Sequence, residues 1–405
     1  MNGSVGHTAL AVMLAGITAA TAAGHFTPMA DGIATVYLLS YEAGFLRNAL
    51  PGTLLGPVAD PAVFAHRVAV FGFIVLTANA LLLFYLAHRA AQRGRLGAVT
   101  LAVLLCSSPL TVGFFAWDLG RPVQAGYVLA LAGVVAMLLR RPRGWLAPAA
   151  LAILTAVGLA IHASFVLIQL PLLVAIYRDR AVASPSFTSS IRPDTVGAGL
   201  AAFGVVCVIM ILWFGVRDTG FAQAFLDDIR MRYPEAMPPP ILAQAHGPMD
   251  AVAEVGRALG TPRNLKGIAS MLIVLPIYAV AVVWALKESG PARDGPRRRH
   301  VAATLLIATL PPLLLCAVHP HMSRWGAYAA TNLLVAGCSL VGAPDGVAST
   351  ARTKPGLTLL LPAVTLHAVL PGWNMFGGFD APDPLQGFVT DCLLGEPPRL
   401  DACTR

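Results

Sequence analysis

Residues 98–143 read AVTLAVLLCSSPLTVGFFAWDLGRPVQAGYVLALAGVVAMLLRRPR. The apolar runs 98–116 and 122–139 are each long enough for a membrane-spanning helix, which needs about 20 residues at a rise of about 1.5 Å each. The tight connection between them contains one acid, Asp118, whereas the second run ends in arginines. The stretch therefore predicts two antiparallel membrane helices with the arginine cluster on the cytoplasmic side.

The same alternation of apolar and charged segments runs through all 405 residues. Sixteen of the 28 Lys and Arg residues fall in one set of loops, and fifteen of the 20 acids fall in the other set. The chain is 57% hydrophobic and 12% charged, with a mean hydropathy of +0.71, unlike the composition of a soluble domain. These patterns predict an all-α, polytopic integral membrane protein. The net charge of +8 does not indicate a nucleic-acid partner, because the basic residues are scattered among the cytoplasmic loops.

Hydropathy and charge together predict about eleven membrane segments, with the N-terminus inside the cytoplasm and the C-terminus outside. We place the segments near 8–24, 65–87, 98–116, 122–139, 146–161, 163–177, 195–216, 265–286, 301–318, 326–343 and 356–371. The first segment has the small residues of a signal-peptide cleavage site near its end, but no Lys or Arg precedes it. We therefore interpret it as an uncleaved membrane span.

Residues 146–177 have arginines at both ends, Arg143 and Arg178, so both ends are expected in the cytoplasm. The stretch is too long for one untilted span and too short for two complete spans with a loop. We predict a hairpin of two short segments with its apex near His162. The alternative is one long tilted helix, which would invert the topology of every later segment.

The predicted organisation is a transmembrane bundle over 1–371 and an extracytoplasmic tail over 372–405. Two outer loops, 25–64 and 217–262, contain apolar stripes that predict helices lying at the membrane surface. In the tail, Cys392 and Cys403 are expected to form a disulfide outside the cytoplasm. The other four cysteines lie in predicted spans and are expected to be packing residues.

The predicted outer face collects the unusual polar residues of the chain. Glu42 and Arg47 lie in the first outer loop and are either functional groups or solvated charges on an amphipathic helix. Asp118 and Arg121 lie in the tight connection, where Asp118 either caps a helix and pairs with Arg121 or serves as a functional carboxylate. A guanidinium such as that of Arg324 suits a phosphate group.

Three histidines are expected on the same face: His162 at the hairpin apex, and His319 and His321 just before Arg324. The pair His319 and His321 has no third or fourth ligand at a recognisable spacing, so we predict no metal site. The chain also lacks GxxxxGK[ST], HExxH and CxxC motifs. Direct ATP hydrolysis is therefore excluded, and no cofactor is expected.

This layout resembles that of multispanning bacterial envelope-polysaccharide enzymes, namely glycosyltransferases of the GT-C type and polysaccharide polymerases. The shared features are an acidic residue in the first outer loop, here Glu42, short paired membrane segments, and acids and arginines at the outer rim. The resemblance implies a bacterial cytoplasmic (inner) membrane location and a lipid-linked sugar donor, carried on a polyprenyl phosphate. Membrane lipids and other envelope-assembly proteins are the further partners it implies.

The resemblance also implies roles for individual residues. Glu42 or Asp118 would be the base that activates an acceptor hydroxyl, with assistance from His162. Arginines would hold the departing phosphate, and the predicted substrate-binding residues are Arg47, Arg121, Arg324, His319 and His321. Two alternatives stay open: a transporter or flippase of a lipid-linked oligosaccharide, and a structural subunit of an envelope complex.

Overall fold

The computed structural model describes most of the chain between residues 2 and 341. The described ranges are 2–29, 31–41, 49–56, 60–140, 145–182, 192–215, 218–234, 261–289, 295–317, 322–341 and 388–394, with Leu385 and a few single residues between 236 and 257. Within these ranges the protein is helical and contains no β-strand. The predicted all-α class is therefore confirmed.

Fourteen α-helices occur in the described part of the chain. They are α1 (Asn2–Gly24), α2 (Asp31–Val36), α3 (Leu50–Leu55), α4 (Pro61–Ala91), α5 (Leu96–Ser107), α6 (Val112–Trp117), α7 (Pro122–Leu139), α8 (Leu146–Ile161), α9 (Phe165–Val182), α10 (Pro193–Gly215), α11 (Thr219–Arg232), α12 (Pro262–Ser289), α13 (Gly295–Leu314) and α14 (Met322–Val341). A short 3₁₀ turn follows α13, and a π-helical turn covers Phe388–Leu393.

Six helical stretches in the described residues are long and apolar enough to cross a membrane, which supports a membrane-embedded protein. They are Gly6–Gly24, Pro61–Ala91, Leu96–Trp117, Pro122–Leu139, Pro193–Ile211 and Met271–Glu288. The total of eleven segments and the orientation of the chain in the membrane stay predictions.

Residues 146–177 form two helices rather than one long helix. Helix α8 ends at Ile161 and α9 begins at Phe165, so the break lies at the predicted position next to His162. Gly158 allows the return, because a Cβ atom there would lie 2.3 Å from the Phe165 ring. The aromatic ring can pack against the backbone of α8 only because that side chain is missing.

The stretch predicted as one span over 98–116 is broken between α5 and α6. Pro109 causes the break, since it cannot donate a helical hydrogen bond and it disfavours the α conformation at Ser108. Hydroxyl groups satisfy the backbone there: Thr111 Oγ1 donates to the Leu105 oxygen at 2.7 Å, and Thr331 Oγ1 donates to the Leu110 oxygen at 2.9 Å. A break at membrane depth is tolerated because protein surrounds it.

A second backbone defect lies in α13, where Pro312 has no N–H for the carbonyl of Ala308. Asn332 of α14 supplies the missing donor, with its Nδ2 at 2.8 Å from the Ala308 oxygen and 2.7 Å from the Ile168 oxygen. Its Oδ1 accepts a hydrogen bond from the Tyr127 hydroxyl. One fully buried amide therefore connects α7, α9, α13 and α14.

The ends of several helices meet at each end of the bundle. At one end of the bundle, Arg89 near the end of α4 donates to the Leu138 oxygen near the end of α7 at 2.9 Å. At the same end Asp179 lies 3.2 Å from Arg297. We call this the Arg89 end, and it gathers loops predicted to be cytoplasmic. The opposite end, where α6 passes into α7, is called the Asp118 end.

A second hydrophobic cluster covers the Asp118 end. It combines α2, α3, the start of α4 and α11, and we call it the cap; its buried residues are Met29, Ile33, Tyr37, Leu38, Leu39, Ala49, Phe64, Val68, Leu226, Ile229, Tyr233, Ala236 and Ile241. Phe221 and Phe225 of α11, part of the stripe predicted in the 217–262 loop, stack 5.9 Å apart against it. The predicted surface helix therefore belongs to the cap.

The cysteines differ between the bundle and the tail. Cys106, Cys207, Cys316 and Cys338 are free thiols, as expected for packing residues. Cys392 is disulfide-bonded, and its backbone oxygen lies 2.7 Å from His66 Nδ1 of α4. Cys403 and most of the predicted tail lie outside the described residues, so pairing between Cys392 and Cys403 stays a prediction.

Candidate functional site

The Asp118 carboxylate binds two arginines from different parts of the chain. Arg121 Nε donates to Asp118 Oδ1 at 2.7 Å. Arg324, 206 residues later, donates through Nε to Oδ2 at 3.0 Å and through Nη2 to Oδ1 at 3.2 Å. Such fork geometry is the strongest way in which a guanidinium binds a carboxylate. The three side chains therefore join the start of α14 to the connection between α6 and α7.

The depth of the three side chains differs. Asp118 is 4% exposed and Arg324 is 7% exposed, whereas the Arg121 side chain keeps 31% of its accessible surface. Charged groups at this depth persist when they are paired, because the loss of hydration costs several kcal/mol per ion. Arg121 is therefore the member of the cluster that a ligand can reach.

The turn that carries Asp118 needs glycine at one position. Gly120 has φ +81°, which L side chains rarely adopt, and a Cβ atom there would lie 3.0 Å from Met29 Sδ of the cap. On the other side Gly72 of α4 packs so closely that its own Cβ would lie 2.9 Å from the Gly120 Cα. The turn is thus held between α4 and the cap, which fixes where Asp118 and Arg121 point.

Buried polar groups complete the turn. Gln124 Nε2 donates to the backbone oxygen of Asp118 at 2.7 Å and to that of Phe115 at 3.1 Å, which satisfies carbonyls at the end of α6. The Tyr37 hydroxyl of the cap donates to the Gly120 oxygen at 2.5 Å. Burial raises the pKa of Tyr37 well above its usual range, so the hydroxyl stays a donor at neutral pH.

Aromatic rings close the bundle beneath the ion pairs. Tyr328 lies one helical turn after Arg324 and stacks on Tyr127 with 5.2 Å between ring centroids. Phe114 meets Tyr328 edge-on at 5.0 Å, and Phe115 lies 5.2 Å from Tyr127. The Tyr328 hydroxyl is fully buried and has no hydrogen-bond partner among the described residues. The site therefore has a packed floor with one unused donor.

With ordinary charges on its three members, the cluster holds one more positive than negative charge. The two Asp118 oxygens accept hydrogen bonds from three N–H donors of two arginines. The arrangement suits a carboxylate that positions arginines rather than one that removes a proton. An anion such as phosphate is the ligand that the surplus charge of Arg121 and Arg324 favours.

Of the other predicted site residues, the structure describes only His162. His162 lies at the turn between α8 and α9, where its Nδ1 is 2.7 Å from Ser164 Oγ. Tyr41, the residue before Glu42, places its hydroxyl 3.4 Å from the Ala160 oxygen near that turn. The Tyr41 side chain therefore reaches the turn that carries His162. Four predicted residues lie outside the described part of the structure: Glu42, Arg47, His319 and His321.

Several residues of the site were not found from the sequence. Tyr37, Gln124 and Tyr328 carry no recognisable motif, and Asn332 lies farther along the same network. A usable signal was present for the two amides, because uncharged polar side chains within apolar spans usually bond to neighbouring helices. In the described ranges no three His, Cys, Asp or Glu residues lie close enough to hold a metal ion.

Comparison of the chain with protein-family models, curated proteins and solved structures finds no match.

Proposed function

We propose that this protein is a membrane glycosyltransferase or polysaccharide polymerase that acts on a polyprenyl-phosphate-linked sugar at the Asp118 end of the bundle. The single observation that carries the proposal is the buried cluster of two arginines around one carboxylate. Its surplus positive charge favours an anionic ligand, and Arg121 is partly open to the surface. A lipid-linked phosphate fits a site that lies at the end of an apolar bundle.

In the proposed reaction a base removes the proton of an acceptor hydroxyl, and the acceptor oxygen attacks the anomeric carbon of the donor sugar. The bond from that carbon to the phosphate oxygen breaks, and the electron pair leaves with the lipid phosphate. Arg121 stabilises the charge that develops on the phosphate, and Arg324 adds positive charge behind it. Asp118 positions both guanidinium groups, and Glu42 is the base we assign, since Asp118 is already bound to two arginines.

The packed floor supports an enzyme over a transporter. A transporter needs a path that opens alternately to both sides, whereas the rings of Tyr127 and Tyr328 and the saturated amide of Asn332 fill the bundle below the cluster. A lipid-linked substrate can still reach a site at the membrane surface from the side. The geometry therefore supports chemistry at one face of the membrane.

A transporter or flippase is the second candidate, and the break between α5 and α6 favours it. Discontinuous membrane helices surround the substrate sites of many transporters, and the short helix α6 leads directly into Asp118. In that case the arginines would bind the lipid phosphate without a chemical step.

The experiment uses purified protein and measures the binding of a polyprenyl phosphate and of the uncharged polyprenol. We expect Arg121→Gln to weaken binding of the polyprenyl phosphate about tenfold. This factor corresponds to the lower end of the free energy of a hydrogen bond to a charged group, because Arg121 is partly exposed. Binding of the polyprenol should not change. Arg232→Gln is the matched control, because Arg232 is also paired with an aspartate but lies on the exposed side of α11.

Measurements of sugar transfer and of lipid transport separate the two candidate functions. If the protein is an enzyme, Glu42→Gln should abolish sugar transfer, and the variant should still bind the polyprenyl phosphate. If the protein is a transporter, the purified protein should move the lipid-linked sugar across a vesicle membrane, and the bond between sugar and phosphate should stay intact. Equal binding of phosphate and polyprenol by the unmodified protein would contradict the proposed site.

A further inference from the structure

The Arg89 end of the bundle contains a polar cavity of about 560 Å³ that the proposed function does not use. Its described lining consists of Tyr85, His88, Arg89, Gln92 and Arg93, all from the end of α4 and the residues after it. Two of these side chains are cationic and none is acidic. The cavity therefore presents positive charge at the membrane surface.

Hydrogen bonds fix part of this lining. Arg89 donates to the Leu138 oxygen at 2.9 Å and to the Tyr85 hydroxyl at 3.3 Å, so its guanidinium is held in place. The side-chain nitrogen of Gln92 lies 3.0 Å from His88 Nε2. When this amide donates, the ring proton lies on Nδ1, a buried atom that has no partner among the described residues. Because this atom is buried, the anion-binding groups of the lining are the guanidinium groups of Arg89 and Arg93.

An apolar groove between α1 and α4 leads to the same place. It is a cavity of about 330 Å³ lined on one side by Ala15 and Ala19 and on the other by residues from Phe73 to Phe84. Phe84 joins the two cavities, because its ring stacks on His88 with 5.9 Å between centroids and 13° between planes. Small side chains on α1 leave the space, and aromatic rings on α4 line it.

The length of the groove matches one leaflet of a bilayer. Eleven residues separate Phe73 from Phe84, which corresponds to about 16 Å along the helix. The hydrocarbon core of a bilayer is about 30 Å thick, so the groove is about as long as the part of the core that an acyl chain from one leaflet occupies. A basic cavity at the surface and an apolar groove of this depth suit a single amphiphile.

We propose that the α1–α4 groove and the Tyr85–Arg93 cavity bind one anionic phospholipid, with its phosphate at Arg89 and Arg93 and an acyl chain between α1 and α4. The ligand is a bilayer lipid of the leaflet at the Arg89 end. The phosphate position is remote from Asp118, and the proposal does not depend on the proposed function.

Native mass spectrometry of the full chain, released from detergent with added lipid, tests the proposal. The probes are dioleoylphosphatidylglycerol, dioleoylphosphatidylcholine and inorganic phosphate. The unmodified protein should retain phosphatidylglycerol in preference to phosphatidylcholine and should not retain phosphate. Arg93→Gln should weaken retention of phosphatidylglycerol about fivefold, the effect of one charge near the surface. A second substitution, Arg89→Lys, keeps the positive charge but removes the planar guanidinium. It should weaken retention of phosphatidylglycerol less than Arg93→Gln does.

Arg298→Gln is the matched control, because Arg298 is exposed at the same end on α13 and does not line the cavity. Ala19→Phe fills the groove and should reduce retention of both lipids, while a thermal unfolding curve shows that the variant is folded. Equal effects of Arg298→Gln and Arg93→Gln would overturn the proposal in favour of diffuse surface charge. Unchanged retention of both lipids by folded Ala19→Phe would overturn the placement of the acyl chain.

Discussion

Replacement of Asp118 by asparagine removes the negative charge between Arg121 and Arg324 while the side chain keeps its size. Loss of one partner from a buried ion pair costs about 3–5 kcal/mol, because the remaining charge is left without a counterion. Arg324 bears most of this cost, since it is 7% exposed. Arg121 can turn towards water, and the amide oxygen of asparagine still accepts one hydrogen bond. We therefore expect Asp118→Asn to lower the free energy of unfolding by about 3 kcal/mol.

Two buried cysteines provide the assay. Cys106 and Cys338 are free thiols, 0% and 2% exposed in the main hydrophobic cluster, so a thiol-reactive dye labels them only as the bundle opens. A loss of about 3 kcal/mol in the free energy of unfolding corresponds to a fall of about 3–4 °C in the unfolding temperature of a chain of this size. The protein should still insert in the membrane, because every apolar span is unchanged.

Asp228→Asn is the control for this measurement. Asp228 pairs with Arg232 at 2.7 Å, but both side chains are more than half exposed, and such a pair contributes at most about 1 kcal/mol. The control should change the unfolding temperature by no more than about 1 °C. If Asp118→Asn unfolds at the temperature of the control, Asp118 is not the counterion of Arg324 in the native protein, and the argument for the site fails.

Three further predictions concern the turn, the tail and the topology. Gly120→Ala should lower the unfolding temperature, because φ is +81° and the added Cβ would press on Met29, a strain of about 1–2 kcal/mol. The control Gly6→Ala should not lower it, because no atom lies within 4 Å of the added Cβ. Equal effects of the two substitutions would refute the strain at Gly120. Non-reducing peptide mapping should find Cys392 joined to Cys403, which free alkylation of both would contradict. Reporter fusions should read cytoplasmic after residue 142 and external after residue 240, and a cytoplasmic signal at 240 would mean that the predicted topology is wrong.

Local spacing made part of this site predictable. Asp118 and Arg121 are three residues apart on a tight connection, and the alternative in which they pair is what the structure contains. The division of residues 146–177 next to His162 was also predictable, because the stretch is too long for one untilted span and the arginines at its two ends indicate that both ends lie on the same side. In both cases the informative residues lie close together in the sequence.

The long-range contacts of the site were not predictable from spacing. Arg324 meets Asp118 across 206 residues, and only the packing of α14 against α6 and α7 brings them together. Tyr37 reaches Gly120 because α2 folds into the cap. The break at Pro109 had a signal in the sequence, but the hydropathy of 98–116 is high enough to hide it.

The buried amide of Asn332 has a consequence for the synthesis of the protein. Helix α13 leaves the ribosome with a carbonyl at Ala308 that Pro312 cannot satisfy, and its donor belongs to α14, which is made later. Until α14 enters the membrane, that oxygen has no partner in the bundle, and an unsatisfied carbonyl in lipid costs several kcal/mol. Insertion of α13 and α14 is therefore expected to be coupled, so a chain stalled between them would leave α13 loosely held and open to membrane proteases.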